Sequence, residues 1–424
     1  MFKYLKYNSN PVTFSDAKQV SMRFIYDRAF RDRTLTNWAS FGLILFLVAF
    51  YCAKNVNQCR WIYGLFFMTP ILGIMMTRPW KWSIYGGRFT GIALLYGVFV
   101  VCSTFWSDLP NIYVRSYDFL CFSTWFCGTA WLAHKKKIDV RLIVNVLIYT
   151  GAVMAVFLII IFYTENTFDT RMWLQGWKRF GPTNPIRIGM YYSLTTLLCF
   201  IKFLDANESR KKATLLLLMV LNFLPVLASQ SRGPLLALLV TFVFIILFYR
   251  VNKKIILGLF LGLFFSFGMV ICNSTLYTAI ASRISEDSCR KEIWSQSISQ
   301  TIENNLWLGC GRGDRINIPV ELPQRNNKIL TFSFSHNQFI DAFNVLGIVG
   351  FLLFIIFNIN VLLQYTKEPS LFPFFVWFIL GSLCAFTVGN SNIDLDVNWL
   401  YFWMPAGLIG AVVSQKRLRE ASTS

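Results

Sequence analysis

The stretch "ATLLLLMVLNFLPVLASQSRGPLLALLVTFVFIILFY", residues 213–249, decides the fold. Two apolar runs, 213–229 and 234–249, flank the short polar break "SQSRG". Each run approaches the roughly 17–25 residues a helix needs to cross a hydrocarbon core of about 30 Å, where only a helix or a closed barrel satisfies its own backbone groups. The pair therefore reads as two membrane helices joined by a tight connection. Arg232 stands in that connection, where a charge is costly unless it lines a cavity or snorkels to the membrane edge. Gly233 and Pro234 are expected to supply the turn and the helix start.

The same pattern recurs along the chain. The 424 residues are 55% hydrophobic and only 14% charged, with 42 Phe and 14 Trp, too apolar for a soluble domain of this size. About twelve spans are expected, at 38–53, 61–77, 89–106, 118–134, 142–163, 188–204, 213–229, 234–249, 255–275, 343–363, 371–389 and 396–414. The fold class is thus all-α, a polytopic integral membrane protein with one long outer loop. Three regions follow: a cytoplasmic tail and nine spans over 1–275, the long loop at 276–335, and three spans with a cytoplasmic tail over 336–424.

The formal charge of +19 suggests nucleic acid only in a soluble protein. Here the cations sort by side. The N-terminal tail, the connection around Arg78, Lys81 and Arg88, "KKKIDVR" at 135–141, the connections around Lys211 and Lys253, and the C-terminal Lys416, Arg417 and Arg419 all fall on one face. The positive-inside rule makes that face cytoplasmic, with both termini on it, and assigns most of the charge to topology and contact with anionic membrane lipids. Of ten cysteines most lie in spans as small hydrophobes; Cys289 and Cys310 fall in the long loop, where either a pair or two thiols is consistent with the sequence. No C-x-x-C or H-x-x-x-H spacing points to a metal.

Three outer segments break the charge rule. They are "RMWLQGWKRFGPTNPIRIG" at 171–189 with Arg179 and Arg187, the turn around Arg232, and the loop 276–335 with Arg283, Arg290, Lys291, Arg312, Arg315, Arg325 and Lys328. Arginines kept outside against the topological preference suit an anion such as phosphate or pyrophosphate, whose oxygens match the guanidinium fork; any one of them alone is equally a solvated or headgroup-contacting side chain. Beside Arg232, Ser229, Gln230 and Ser231 add polar groups to a compact anion seat. Of two histidines, His134 precedes three cytoplasmic lysines and reads as a headgroup-region side chain. His336 opens "SHNQFIDAFNVLGIVG", where a helix capped by Ser335 is expected to carry it. It is the imidazole available for proton transfer on the outer face. Glu286, Asp287, Glu292 and Asp341 are all candidates to orient it, and spacing selects none. Asp118 and Arg88, near span ends, read as interfacial side chains.

"SQSRG" after one span, "CRKEIWSQSISQTIENNLWLGCGRG" in the long loop and "SHNQFIDAFNVLGIVG" at the next span, in that order, resemble the O-antigen ligase and polymerase superfamily of bacterial envelope glycosyltransferases. The similarity covers mainly residues 179–355, and the length, spans and single long loop look most like the ligases. The resemblance implies an undecaprenyl diphosphate-linked O-antigen as donor, a lipid A-core oligosaccharide as acceptor, no cofactor or metal, and a site facing the periplasm from a Gram-negative inner membrane. It implies that Arg232 and Arg290 hold the pyrophosphate and that His336 is the general base. Arg179, Arg187, Asn337, Ser231 and Gln230 become substrate-binding candidates. Cys289 stands where many relatives have glycine, which puts the local loop conformation in doubt. An O-antigen polymerase, with a second lipid-linked glycan as acceptor, shares these motifs. A metal-dependent transferase wants paired acidic residues in an early outer loop, where "WSDLPN" offers Asp108. A twelve-span transporter or flippase favours internal repeats and midplane charges, which the sequence lacks.

Overall fold

The computed structural model describes residues 27–53, 56–78, 85–107, 110–164, 184–249, 290–312, 318–322, 328–332, 334–364, 369–386, 393 and 399–423. Helices dominate: α1 Arg28–Cys52, α2 Val56–Tyr63, α3 Thr69–Thr77, α4 Gly87–Cys102, α5 Ile112–His134, α6 Val140–Thr164, α7 Pro185–Asp205, α8 Ser209–Ala228, α9 Arg232–Tyr249, α10 Arg290–Asn305, α11 Gln338–Leu363, α12 Phe372–Ala385 and α13 Met404–Thr423. Among the described residues, seven helical segments are long and apolar enough to cross a membrane. The chain is an all-α polytopic membrane protein, as the hydropathy required. Every expected span except 255–275, which lies outside the described residues, falls on a helix. Arg179 and Cys289 also lie outside them.

Local chemistry explains the helix boundaries. Asp27 caps α1, its Oδ1 accepting from the N–H groups of Ala29 and Phe30 at 2.9 and 3.0 Å, so the helix begins well ahead of the apolar run expected at 38. The second span widens into a π-helical stretch, Gly64–Met68, between α2 and α3. Pro70 has no N–H to offer Phe66 O, and Thr69 N–H instead bonds Gly64 O. Phe66 O lies against α1 at Gly42, where a Cβ would sit 2.0 Å from it. Only glycine admits that approach.

The core is aromatic, and several of its polar handles find protein acceptors where lipid offers none, whereas those of Tyr192, Trp377 and Tyr401 are buried without a hydrogen-bond partner among the described residues. Trp125 Nε1 donates to Trp403 O at 2.9 Å, tying α5 to the π-helical stretch Trp399–Trp403 that leads into α13. Tyr63 O–H donates to Cys121 O at 2.7 Å, Tyr51 O–H to Tyr191 O at 3.1 Å, and Trp131 Nε1 to Thr36 Oγ1 at 3.0 Å. These bonds register α1, α2, α5 and α7 on one another. The reading of Asp118 as interfacial is corrected: it is fully buried, with Arg115 at 3.0 Å and Arg60 at 3.7 Å.

The described part of the long loop is more structured than its polarity suggested. It contains α10, packed on α11, and a hairpin, β1 Ile318–Leu322 with β2 Lys328–Phe332, antiparallel with Ile318 opposite Phe332 and Leu322 opposite Lys328.

Candidate functional site

The turn at Arg232 is built by its own backbone. Ser229 N–H donates to Pro225 O at 2.9 Å and Gln230 N–H to Leu227 O at 3.0 Å, closing α8. Gln230 takes the left-handed conformation, φ 48°, that glycine was expected to supply at Gly233; Gly233 and Pro234 lie inside the first turn of α9 instead. Pro234 is tolerated there because the first helical N–H groups have no partner in the helix. Ser231 is buried, its N–H bonded to Ser229 Oγ and its hydroxyl to Ser229 O, both at 3.3 Å. Arg232 is exposed at the helix start. The first turns of α7 pack on this connection, since Ser193 Oγ donates to Pro234 O at 3.4 Å and a Cβ on Gly189 would lie 2.9 Å from Ser229 Oγ. Arg187, half-buried in the first turn of α7 behind the Asn184 cap, is thereby brought to the same end of the bundle.

His336 sits just outside α11. Asn337, not Ser335, is the N-cap: its Oδ1 accepts from Phe339 N–H at 3.0 Å and Ile340 N–H at 3.3 Å. Ser335 Oγ is turned to the Asn337 backbone, accepting from its N–H at 3.2 Å and donating to its carbonyl at 2.9 Å. Between them His336 holds φ 57°, unusual for a residue with a Cβ. Two contacts pin this strained loop. Asp341 Oδ1 accepts from Ser335 N–H at 2.7 Å, and Trp294 Nε1 of α10 donates to Ser335 O at 3.0 Å. The imidazole meets Phe334 edge-on at 4.5 Å and Phe332 of β2 at 6.4 Å between centroids. Hairpin, α10 and α11 thus converge on the short segment that carries His336. Of the four candidate carboxylates, Asp341 holds the backbone next to His336, and Glu286 and Asp287 lie outside the described residues.

Arg290, the first residue of α10, completes the cluster. Burial first, then the charge of Arg232, pushes its guanidinium below the ordinary arginine range. Burial first, then the charge of Arg290, likewise pushes the half-buried His336 below the ordinary imidazole value. Arg290 therefore lies within the field of Arg232, and His336 within that of Arg290. Arg290 links the other two. The lowered proton affinity favours the neutral imidazole, and the guanidinium stands at a helix N-terminus, an arrangement that attracts anions.

A broken helix holds α10 and its following loop in place. Within α11, Gly347 has φ 63° and ψ −165°, which interrupts the ladder. The freed carbonyls of Asn344 and Val345 accept from Cys310 and Gly311 N–H, both at 2.9 Å. The freed N–H groups of Ile348 and Val349 reach Leu306 O at 3.0 Å and Trp307 O at 3.2 Å. The insertion is close enough that a Cβ on Gly347 would meet Trp307 O at 2.3 Å. On its other side the loop touches the end of α4, with Trp106 Nε1 donating to Leu308 O at 3.0 Å and Arg312 N–H to Ser103 Oγ at 3.1 Å. Arg312 is buried, not solvated. Cys310 Sγ lies 3.1 Å from Asn344 Oδ1; its suggested pairing with Cys289 lies outside the described residues.

Residues 217–355 match the family model described as O-antigen ligase. The matched stretch runs from α8 into α11 and contains Arg232, Arg290, His336 and both partners of the broken-helix insertion. No curated protein matches the chain.

Proposed function

We propose that this chain, whose residues 217–355 carry the O-antigen ligase family match, transfers an O-antigen glycan from undecaprenyl diphosphate to a lipid A-core oligosaccharide at the periplasmic face of a Gram-negative inner membrane. The observation that supports it is the Arg232, Arg290 and His336 cluster, in which Arg290 acts electrostatically on His336 and is acted on by Arg232. On this reading the acceptor hydroxyl oxygen attacks the anomeric carbon of the donor sugar, and the bond from that carbon to the diphosphate oxygen breaks. The hydroxyl proton passes to His336, and undecaprenyl diphosphate leaves. Attack opposite the leaving group inverts the anomeric centre. Negative charge grows on the diphosphate as the bond breaks, so Arg232 and Arg290 favour the transition state over the ground state. General base catalysis adds roughly 10²- to 10⁴-fold. Arg187 and Gln230, at the same end of the bundle, extend the polar surface available to donor or acceptor, while Ser231 and Asn337 hold the backbone that presents them. Arg179 belongs to the same proposal through its position in "KRFGPTNP" alone.

The test is reconstitution. Purified wild type and His336→Ala are given lipid-linked O-antigen and lipid A-core in the presence of chelator, and glycan-bearing lipopolysaccharide is resolved by size. Product from wild type and none from a folded His336→Ala supports the assignment. Chain growth on the polyprenyl carrier with unmodified lipid A-core makes the protein a polymerase, and absence of transfer from either pair by wild type refutes the glycosyltransferase reading.

A further inference from the structure

At the opposite end of the bundle lies a second basic site. α4 spans the two ends: its C-terminal extension Ser103–Trp106 touches the loop beside α10, whereas Tyr85, just before its N-terminus, stacks on Trp131 at 6.2 Å. Around Trp131 is a cavity of about 390 Å³, within the range of small-ligand sites, lined by Arg33, Arg78, Lys135, Lys137, Asp32 and Thr36 among others. Four cations face one carboxylate, and that carboxylate is already ion-paired with Arg78. The cations are held in place. Trp131, fixed by its bond to Thr36, carries Lys135 Nζ over its ring at 4.8 Å and the Arg78 guanidinium at 5.9 Å. Burial and the neighbouring Arg78 charge lower the Lys135 ammonium from its usual value. Arg78 Nε is buried without a hydrogen-bond acceptor among the described residues.

We propose that this cavity is a binding site for a phosphate-bearing anion, filled by the headgroup of an anionic phospholipid. A cluster of cations held together against their repulsion, with a buried N–H donor waiting for an acceptor, is stabilised by one multivalent anion. The cavity opens between the ends of α1, α3 and α5, where a lipid headgroup lies when its chains pack against those helices. Its distance from His336, the length of α4, separates it from the transfer reaction. With the orientation proposed above it faces the cytoplasmic leaflet, where basic pockets between helices bind such headgroups.

The experiment compares the full-length protein with the double variant Arg33→Gln/Lys137→Gln, both residues being exposed at the cavity rim and outside the Arg78 and Asp32 pair. Native mass spectrometry titrates phosphatidylglycerol, phosphatidylcholine of the same chain length, and inorganic phosphate. The expected result is preferential retention of phosphatidylglycerol by wild type, weakened roughly 30-fold in the variant, at about 1 kcal/mol per cation near a charged surface. Phosphate competing as well as the lipid, with the same loss in the variant, supports the anion site and makes its ligand soluble. Equal retention of both lipids by wild type, or equal anion retention by wild type and variant, overturns the proposal.

Discussion

Asp341→Ala separates catalytic geometry from global folding. The Asp341 carboxylate accepts from Ser335 N–H at 2.7 Å, and the next residue, His336, holds φ 57°. A left-handed conformation at a residue with a Cβ costs roughly 1–2 kcal/mol. A hydrogen bond to a charged acceptor contributes roughly 1.5–3 kcal/mol. With that bond removed, the loop loses what offsets its strain, and the balance tilts by about 2 kcal/mol toward conformers in which the imidazole no longer faces Arg290. At about 1.4 kcal/mol per factor of ten, the competent fraction drops roughly 30-fold, and kcat/KM drops with it. Asp341→Asn keeps an oxygen acceptor and loses the charge, so its loss is expected to be smaller, roughly threefold to tenfold. The assay is the initial rate of glycan transfer in detergent, with the unfolding midpoint of each variant measured alongside. Graded rates, wild type above Asn above Ala, with midpoints within a few degrees, fit a positioning role. An alanine variant with kcat/KM within threefold of wild type sinks the reasoning, and an asparagine variant as slow as alanine shows that the charge itself matters, not the bond.

Gly347→Ala is expected to destabilise the protein by roughly 3–6 kcal/mol. It combines about 1–3 kcal/mol of backbone strain with the weakening of hydrogen bonds worth about 0.5–1.5 kcal/mol each, and protease cleavage between α10 and β1 in the folded state reports it. Asp118→Asn leaves Arg60 and Arg115 without their carboxylate; a loss of about 3–5 kcal/mol is expected in denaturant titrations, and Arg115→Gln on top of it should recover part of that loss. In the pH profile, the acid limb of kcat/KM, which reports the free enzyme, is expected below the ordinary histidine value of about 6.5, because burial and Arg290 depress His336. The acid limb of kcat should lie higher, since a bound diphosphate offsets the arginine field; coincident limbs argue against His336 as the base. The same shift has a stability sign: the folded state binds fewer protons than the unfolded chain below about pH 6.5, so His336 lowers stability as pH falls through that value and contributes nothing above it.

Hydropathy was enough to place helices, because a membrane helix needs only length and apolarity: each expected run within the described residues falls on a helix, and seven of them are long and apolar enough to cross a membrane. Arg232, Arg290 and His336 were singled out as residues because the charge pattern along the chain set them apart from the other cations, and the motif order paired them. Their assembly was not legible. "NVLGIVG" reads as an unbroken apolar helix, and its interruption at Gly347 exists because "LWLGCG", far earlier in the chain, supplies the hydrogen bonds that the break frees. Neither half signals the other locally. The helix start failed for a related reason: Ser335 and Asn337 are both good caps, and the choice went to Asn337 once the Ser335 backbone was tied to Asp341 and Trp294. Burial of Asp118 was hidden because, although Arg115 lies one turn away on the same helix, its second partner Arg60 comes from another span. Sequence patterns report what a residue needs, and in these cases the residue that meets the need is distant.

The cluster's electrostatics tie the two halves of the proposed reaction together. In the free site Arg232 and Arg290 repel each other, and burial first, then the charge of Arg290, lowers the proton affinity of the His336 imidazole. A base depressed in this way is available but weak, since a lower pKa means less driving force for taking a hydroxyl proton. A diphosphate placed against the arginines reverses the sign of the local field. It relieves their repulsion and raises the imidazole's affinity for a proton at the stage when the acceptor hydroxyl must lose one. The same charges that hold the donor therefore set the strength of the base, and proton abstraction is favoured only with the donor in place. The broken helix serves that coupling, because the backbone bonds at Gly347 fix the far end of α10 against α11 while Trp294 fixes its near end to the Ser335 carbonyl. The backbone that carries Arg290, at the start of that helix, is thereby held against the loop that carries His336.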